Sequence, residues 1–356
     1  MLTLRRFYLL LIALFLLPIM PITLAGCTKE APATAGSTPV SETYYIFDTV
    51  ITVKIYDPGA TQQHFDDIKA LLERIDREMN RQRKDSEIDR VNRQAGKGGV
   101  PVSEETYRVV RTALEYAVAT DGKFDPTVGP LVDLWGIGHE GAAVPGKSEL
   151  EQAMKLVNYR DAALDDGSMS VTLARPGMSL DLGAIAKGYA ADLIAGYLRD
   201  QGFGKAMIDL GGNVLAMGSR PDGSGWRIGI QDPGEQRGNP LGMLEAHDQT
   251  IVTSGIYERY FAQDRVIYHH ILDTSTGYPV DNSLLSVTIV TEESMQADAM
   301  STSVFALGLT EGMKFVESRG DAEAIFITKD KQIYLTSGLK GKFQLTHEDY
   351  QLAEGP

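Results

Sequence analysis

The hydrophobic and polar positions of this chain change period several times, and each change marks an element. Residues 45–56 alternate and are β-branched enough for a strand, with Asp57-Pro58-Gly59 as the turn that ends it. Helical spacing takes over next. Phe65, Ile68, Leu71, Leu72, Ile75 and Met79 fall on one face, and Val109, Val110, Leu114 and Ala117 do so later, so both segments read as packing helices. From Ala206 onward short strands dominate, separated by Gly211-Gly212-Asn213, Pro221-Asp222-Gly223 and Thr276-Gly277-Tyr278-Pro279. A further helix is expected over residues 295–307. Helices, then many strands, then a helix predict an α+β domain rather than a doubly wound sheet.

The N-terminus follows a different pattern. Arg5 and Arg6 precede an apolar run over residues 7–24, which ends in Leu24-Ala25-Gly26-Cys27 and a polar stretch. This resembles a bacterial lipoprotein signal, in which small residues precede a cysteine whose thiol receives lipid. The competing reading is a transmembrane anchor, but the run falls short of the ~20 apolar residues that spanning requires and is interrupted by Pro18 and Pro21. Cys27 is the only cysteine, so structural disulfides, a cysteine nucleophile and a zinc–thiolate site are excluded. The Ala-, Pro-, Thr- and Ser-rich stretch after it reads as a flexible tether. The expected organisation is a signal peptide over 1–26, a tether over 27–42 and one catalytic domain over 43–356, with the protein lipid-anchored to the cell membrane on its extracytoplasmic side.

Charge narrows the function. The formal net charge is −14, and loss of Arg5 and Arg6 with the leader takes it to −16 (−14 − 2). No basic stripe is present, so a nucleic-acid role is not expected. An acidic protein that handles an anionic nucleotide needs a local positive charge, which a divalent cation supplies.

Four stretches carry candidate chemistry. The first, Asp121-Gly122-Lys123-Phe124-Asp125-Pro126-Thr127-Val128-Gly129-Pro130-Leu131, leaves a helix and stays irregular through two prolines, either as a ligand loop or as a helix-terminating turn. In the second, a short strand is expected to end near Asp181 and a helix to start near Ala184, with Gly183 between them and Lys187 one turn in. Backbone amides at such a start attract phosphate, although a capped helix with a surface lysine has the same local sequence. The third places His269 and His270 in a strand that runs into a tight turn. Alternation sends their side chains to opposite faces, so one is available as a general base. In the fourth, Asp298 and Thr302 lie four apart on a helix of small residues and share a face. These are hard oxygen ligands suited to magnesium; the alternative is an aspartate near a helix start and a threonine bonded to its own backbone.

Together with Ser86-Glu87-Ile88-Asp89-Arg90-Val91-Asn92, Asp209-Leu210-Gly211-Gly212-Asn213 and Val252-Thr253-Ser254-Gly255, these stretches resemble the family of FAD:protein FMN transferases, the ApbE-type flavin transferases, over nearly the whole chain after the tether. The resemblance implies a tunnelling-fold-like α+β architecture of mixed helices and largely antiparallel sheet, with FAD bound as substrate and Mg2+ as cofactor. It implies a metal held by the backbone carbonyl of Ala184, the carboxylate of Asp298 and the hydroxyl of Thr302. FAD would contact Lys123, Phe124, Asp125, Asp181, Lys187 and Leu272. The expected reaction is attack by a target threonine hydroxyl on the FMN phosphorus of FAD, with AMP leaving and His270, or else Asp273, as base. Implied acceptors are exported or membrane redox proteins with a short motif of aspartate, serine or threonine, glycine, alanine and threonine.

The chain departs from the family pattern at two places. Phe47-Asp48-Thr49 stands where methionine-glycine-threonine is usual, so a flavin contact is expected from Phe47 while the glycine is lost. Gln82 stands where many transferases carry tyrosine, a position that differs between transferring and FAD-hydrolysing relatives. An exported FAD pyrophosphatase and a non-catalytic flavin-binding lipoprotein are the alternatives.

Overall fold

The computed structural model describes residues 38–355. The apolar run, Cys27 and most of the expected tether lie outside the described residues. Within them, no helix is long and apolar enough to cross a membrane.

The helices are α1 (Gln62–Met79), α2 (Glu87–Arg93), α3 (Glu104–Ala119), α4 (Gly129–Trp135), α5 (Lys147–Met154), α6 (Ala186–Asp200) and α7 (Ser294–Arg319). The main sheet has nine strands in sequence order, from Val40–Ile46 and Thr49–Ile55, through Ala206–Leu210, Asn213–Met217, Gln249–Gly255, Leu284–Thr291 and Ala322–Thr328, to Gln332–Leu335 and Gln351–Leu352. All neighbours are antiparallel except the last pair. The expected α+β architecture with a largely antiparallel sheet is therefore present.

Strand alternation divides the core. Val252, Ile289, Ala324 and Phe326 point toward the helices, whereas Ile251, Val290, Ile325 and Ile327 point toward a three-stranded sheet that covers the other face. Burial on both faces makes these strands read as continuous apolar runs. On the helical side α1 buries Phe65, Ile68, Leu72, Ile75 and Met79, and α3 buries Val109, Val110 and Ala117, as their spacing predicts.

Four local expectations are corrected. Residues 45–56 are not one strand but a hairpin, whose turn residues Phe47 and Asp48 take φ of 59° and 54°. Two successive left-handed residues match the twist of a tight hairpin, but they normally come as Asn-Gly or Gly-Gly, so the turn has no signature in the sequence. The first strand begins at Val40, before the expected domain start at Thr43, because Val40 pairs with Ile55 across that hairpin. Residues 179–181 form no strand; Ser179 pairs with Val128 at one position and the Asp181 amide donates to the Pro126 carbonyl at 2.8 Å. The last helix does not end at Leu307. It breaks at Gly308 (φ 79°) and resumes to Arg319, with Asn282 Nδ2 donating to the Phe305 carbonyl at 2.8 Å near the break.

Candidate active site

A cavity of about 930 Å³ opens where the Phe47–Asp48 turn, the starts of α6 and α7, and the loops after α3 and the Gln249–Gly255 strand come together. Its volume is at the upper end of small-ligand sites and suits a dinucleotide. Phe47, Gln82, Lys123, Phe124, Asp125, Asp181, Ala184, Lys187, His270, Leu272, Asp298 and Thr302 all line it. Asp273 does not.

The start of α6 and the face of α7 are joined through Asp298. Its carboxylate is buried and accepts from the Gly188 amide at 3.0 Å, and Lys187 Nζ lies 3.3 Å and 3.4 Å from its two oxygens. Gly188 lies in the first turn of α6, whose amides have no partner within the helix, and Asp298 satisfies this one from α7. Thr302 Oγ1 lies on the same cavity wall, 3.3 Å from Ser254 Oγ.

Asp298 lies beyond the first turn of α7, and Thr302 makes no bond to its own helix backbone. The helix start is capped by Asp192, which accepts from the Ser294 and Met295 amides at 2.8 Å each, and Asp298 sits a turn further in. Bonds back to the helix backbone come from Ser301 to Asp298 and from Ser303 to Ala299, not from Thr302. The Ala184 carbonyl, the Asp298 carboxylate and the Thr302 hydroxyl are hard-oxygen donors of the kind that magnesium takes, and these three would hold it. Among the described residues no group of three or more His, Cys, Asp or Glu could hold a metal.

The loop after α3 is held from within. Asp125 Oδ1 accepts from the Thr127 amide and hydroxyl at 2.8 Å and 2.7 Å, and Oδ2 accepts from the Tyr159 amide at 2.8 Å. Burial pushes its pKa up against these bonds. Asp125 thus shapes the loop that presents Lys123 and the buried Phe124. Lys123 Nζ reaches Asp273 Oδ2 at 3.4 Å. Desolvation raises the Asp273 pKa, but the hydroxyl and amide of Ser275, together with Lys123, outweigh it and hold the carboxyl below its ordinary value. A carboxylate so engaged positions Lys123 better than it accepts a proton.

The two histidines separate as alternation predicts. His269 is buried with Nε2 3.0 Å from the Val280 carbonyl, and burial lowers its pKa. His270 faces the cavity. Desolvation by the surrounding protein, with smaller contributions from the Arg259, His269 and Lys187 charges, lowers its pKa to about 4 despite the carbonyl of Arg259. Its Nδ1 lies 3.2 Å from that carbonyl, which can only accept, so Nδ1 carries the proton and Nε2 keeps a lone pair.

Other wall residues carry no local signal in the sequence. Arg81 follows α1 and is largely buried, with Nη2 2.6 Å from Asp133 Oδ2 and Nη1 3.7 Å from Asp181 Oδ2. Asp181 also accepts from the Gly183 amide at 2.8 Å, so one carboxylate links this arginine to the turn before α6. Gln82 Nε2 donates to His139 Nε2 at 3.2 Å, which ties the position that departs from the family pattern to the loop after α4. Asn213 accepts from the Ser294 hydroxyl at 2.7 Å, while its buried Nδ2 has no partner.

Comparison with known proteins identifies the family. Residues 47–326 match the ApbE family. An FAD:protein FMN transferase of Klebsiella pneumoniae (strain 342) is 39% identical over 284 residues, 80% of this chain and 88% of that one. One of Treponema pallidum (strain Nichols) is 34% identical over 310 residues, 83% of this chain and 86% of that one. The solved structure of the flavin transferase ApbE from Vibrio cholerae superposes with a TM-score of 0.78 at 32% identity, covering 85% of this chain and 99% of its own. On its matched span, its relatives and its fold, this chain belongs to the ApbE family.

Proposed function

We propose that this chain is an FAD:protein FMN transferase that binds FAD with magnesium and moves the FMN half onto a threonine hydroxyl of a partner redox protein, releasing AMP. The observation that carries this reading is the convergence of the α6 start, the Lys187 ammonium and the Asp298–Thr302 face of α7 on one cavity of dinucleotide size. That arrangement concentrates positive charge and backbone donors where an acidic protein otherwise repels a pyrophosphate.

Magnesium, held by Ala184, Asp298 and Thr302, would neutralise pyrophosphate charge and polarise the phosphorus under attack. Lys187, already beside Asp298, sets a second cation against the phosphates. Phe47 and Leu272 offer apolar surface to the flavin. His270 Nε2 takes the proton of the threonine hydroxyl as its oxygen bonds to the FMN phosphorus and the bond to the AMP oxygen breaks. A histidine with pKa near 4 is neutral at pH 7 but only weakly basic. Positioning and charge therefore do most to lower the barrier, as phosphoryl transfer allows.

The lipidated Cys27 and its tether would hold the enzyme at the cell membrane, facing exported or membrane acceptors. The decisive experiment incubates the protein with FAD, magnesium and a reporter protein carrying Asp-Ser-Gly-Ala-Thr in an exposed loop, and records the intact mass of the reporter. An FMN adduct with stoichiometric AMP is expected. Free FMN and AMP without adduct would make it a pyrophosphatase, and intact FAD a flavin-binding lipoprotein.

A further inference from the structure

The cavity wall carries five arginine and lysine side chains, and four have a carboxylate: Arg81 with Asp133 and Asp181, Lys123 with Asp273, Lys187 with Asp298, and Arg237 with Glu258. Arg259 is the exception. Among the described residues its guanidinium makes no ion pair or hydrogen bond, although Asp and Glu outnumber Lys and Arg in this chain by 48 to 34. It is exposed, and its Cδ lies 3.4 Å from the position a Cβ on Gly138 would occupy, so the side chain rests against the loop after α4. Its backbone carbonyl holds Nδ1 of His270. An unpaired cation thus stands beside the proposed base.

Arg259 leads directly into a two-stranded hairpin, Tyr260–Gln263 with Val266–His269, which belongs to none of the three larger sheets. One face is anchored. Phe261 and Tyr268 stack at 5.2 Å between ring centroids, and both lie within 6.3 Å of the buried Trp135 ring. Tyr260 pairs with His269 and Ala262 with Ile267, so these four share the face turned away from Trp135, with His269 buried at its base. Tyr260 is 51% and Ile267 53% exposed, and Tyr260 also lines the cavity. The apolar face is therefore continuous with the chamber in which the transferred group must meet its acceptor.

We infer that Arg259 and the outer face of this hairpin recognise the acceptor protein: the guanidinium pairs with a carboxylate close to the reacting hydroxyl, and Ile267 packs on apolar residues flanking it. This rests on the transferase reading above. An aqueous nucleophile has no use for an exposed, rigidly backed apolar ribbon that feeds the base, whereas a protein segment does. A carboxylate is the chemistry the free arginine selects, and the rest of this acidic surface repels it, so the segment is admitted in one orientation.

The test uses the full-length protein with the same Asp-Ser-Gly-Ala-Thr reporter, initial rates against reporter concentration, and FAD affinity by fluorescence. Arg259→Gln and Ile267→Glu should each raise the reporter KM about tenfold, and in Ile267→Glu kcat should change less than about twofold. Ile267 lies off the cavity wall, so Ile267→Glu should bind FAD as the wild type does. Replacing the reporter aspartate with asparagine should cost the wild type about as much as Arg259→Gln does, and should cost Arg259→Gln little more. An unchanged reporter KM in both variants overturns the inference while leaving transfer intact, because the wild type still labels the reporter. A weaker FAD affinity in Arg259→Gln at unchanged reporter KM assigns the arginine to the nucleotide instead. A wild type that frees FMN without labelling the reporter removes both readings together.

Discussion

The backbone amide of Gly188 donates to Asp298 Oδ2 at 3.0 Å across 110 positions of sequence. The bond is possible because α6 and α7 approach very closely there. A Cβ on Gly188 would lie 2.1 Å from the Ser294 carbonyl oxygen and 2.6 Å from its carbon, both backbone atoms. Gly188→Ala should therefore push the helices apart, costing about 1–3 kcal/mol and weakening FAD binding by displacing Asp298 from Lys187. Urea unfolding and FAD titration check this. Wild-type values for both would mean that the two helices can part without consequence.

The metal assignment predicts a graded response to magnesium. Asp298→Asn keeps size and one acceptor oxygen but removes the charge a hard cation needs, whereas Thr302→Val keeps the β-branched shape and removes a neutral ligand. Both should slow transfer, the aspartate change more severely, and excess magnesium should restore Thr302→Val far better than Asp298→Asn. Turnover measured against magnesium separates this from purely structural roles, for which three curves with one half-saturation point are expected.

Transfer should depend on pH through His270. Only the neutral ring accepts a proton, so its low pKa places the loss of activity on the acid side, as pH falls through about 4. Between neutrality and about pH 5.5 the rate should be flat as far as this group is concerned. A kcat/KM profile bending near the ordinary histidine value of 6.5 would contradict it, provided circular dichroism shows the fold intact.

Asp192 should give stability the opposite slope from that of a salt-bridged carboxylate. Burial lifts its pKa from 3.8 to about 6, overriding the Ser294 and Met295 amides that favour the anion. The folded protein therefore holds this proton more tightly than the unfolded chain. The stabilisation is complete below 3.8 and is lost as pH rises through about 6. The loss is roughly 1–3 kcal/mol. Asp192→Asn should remove this component, seen as a smaller difference between unfolding free energies at acid and neutral pH.

Cys27→Ser should abolish lipidation and release the protein from the membrane fraction, with FMN transfer by the soluble form unchanged. Firm membrane retention of the mutant would indicate an uncleaved apolar helix.

Much of the site was legible because its pieces are local. Lys187 reads as a phosphate ligand from its place near a glycine and a helix start, and Asp298 with Thr302 from helical spacing alone. The hairpin turn at Phe47-Asp48 was not legible, since a bulky residue at positive φ violates the preference by which turns are recognised; its place on the cavity wall fits the pattern of strain stored at functional sites. Nor were Arg81, Arg259 and His139 visible, because nothing in their neighbours distinguishes them from ordinary surface residues.

The sequence by itself determined the α+β class, the packing faces of α1 and α3, and the segments that line the cavity, since periodicity and helix-start chemistry act over a few residues. Only the tertiary structure decided which of those groups meet. The first-turn amide of Gly188 finds a carboxylate 110 residues away, Asp273 is spent on Lys123 and Ser275, and Arg259 is left without an acid. Such pairings depend on distances between distant elements, and no local pattern encodes them.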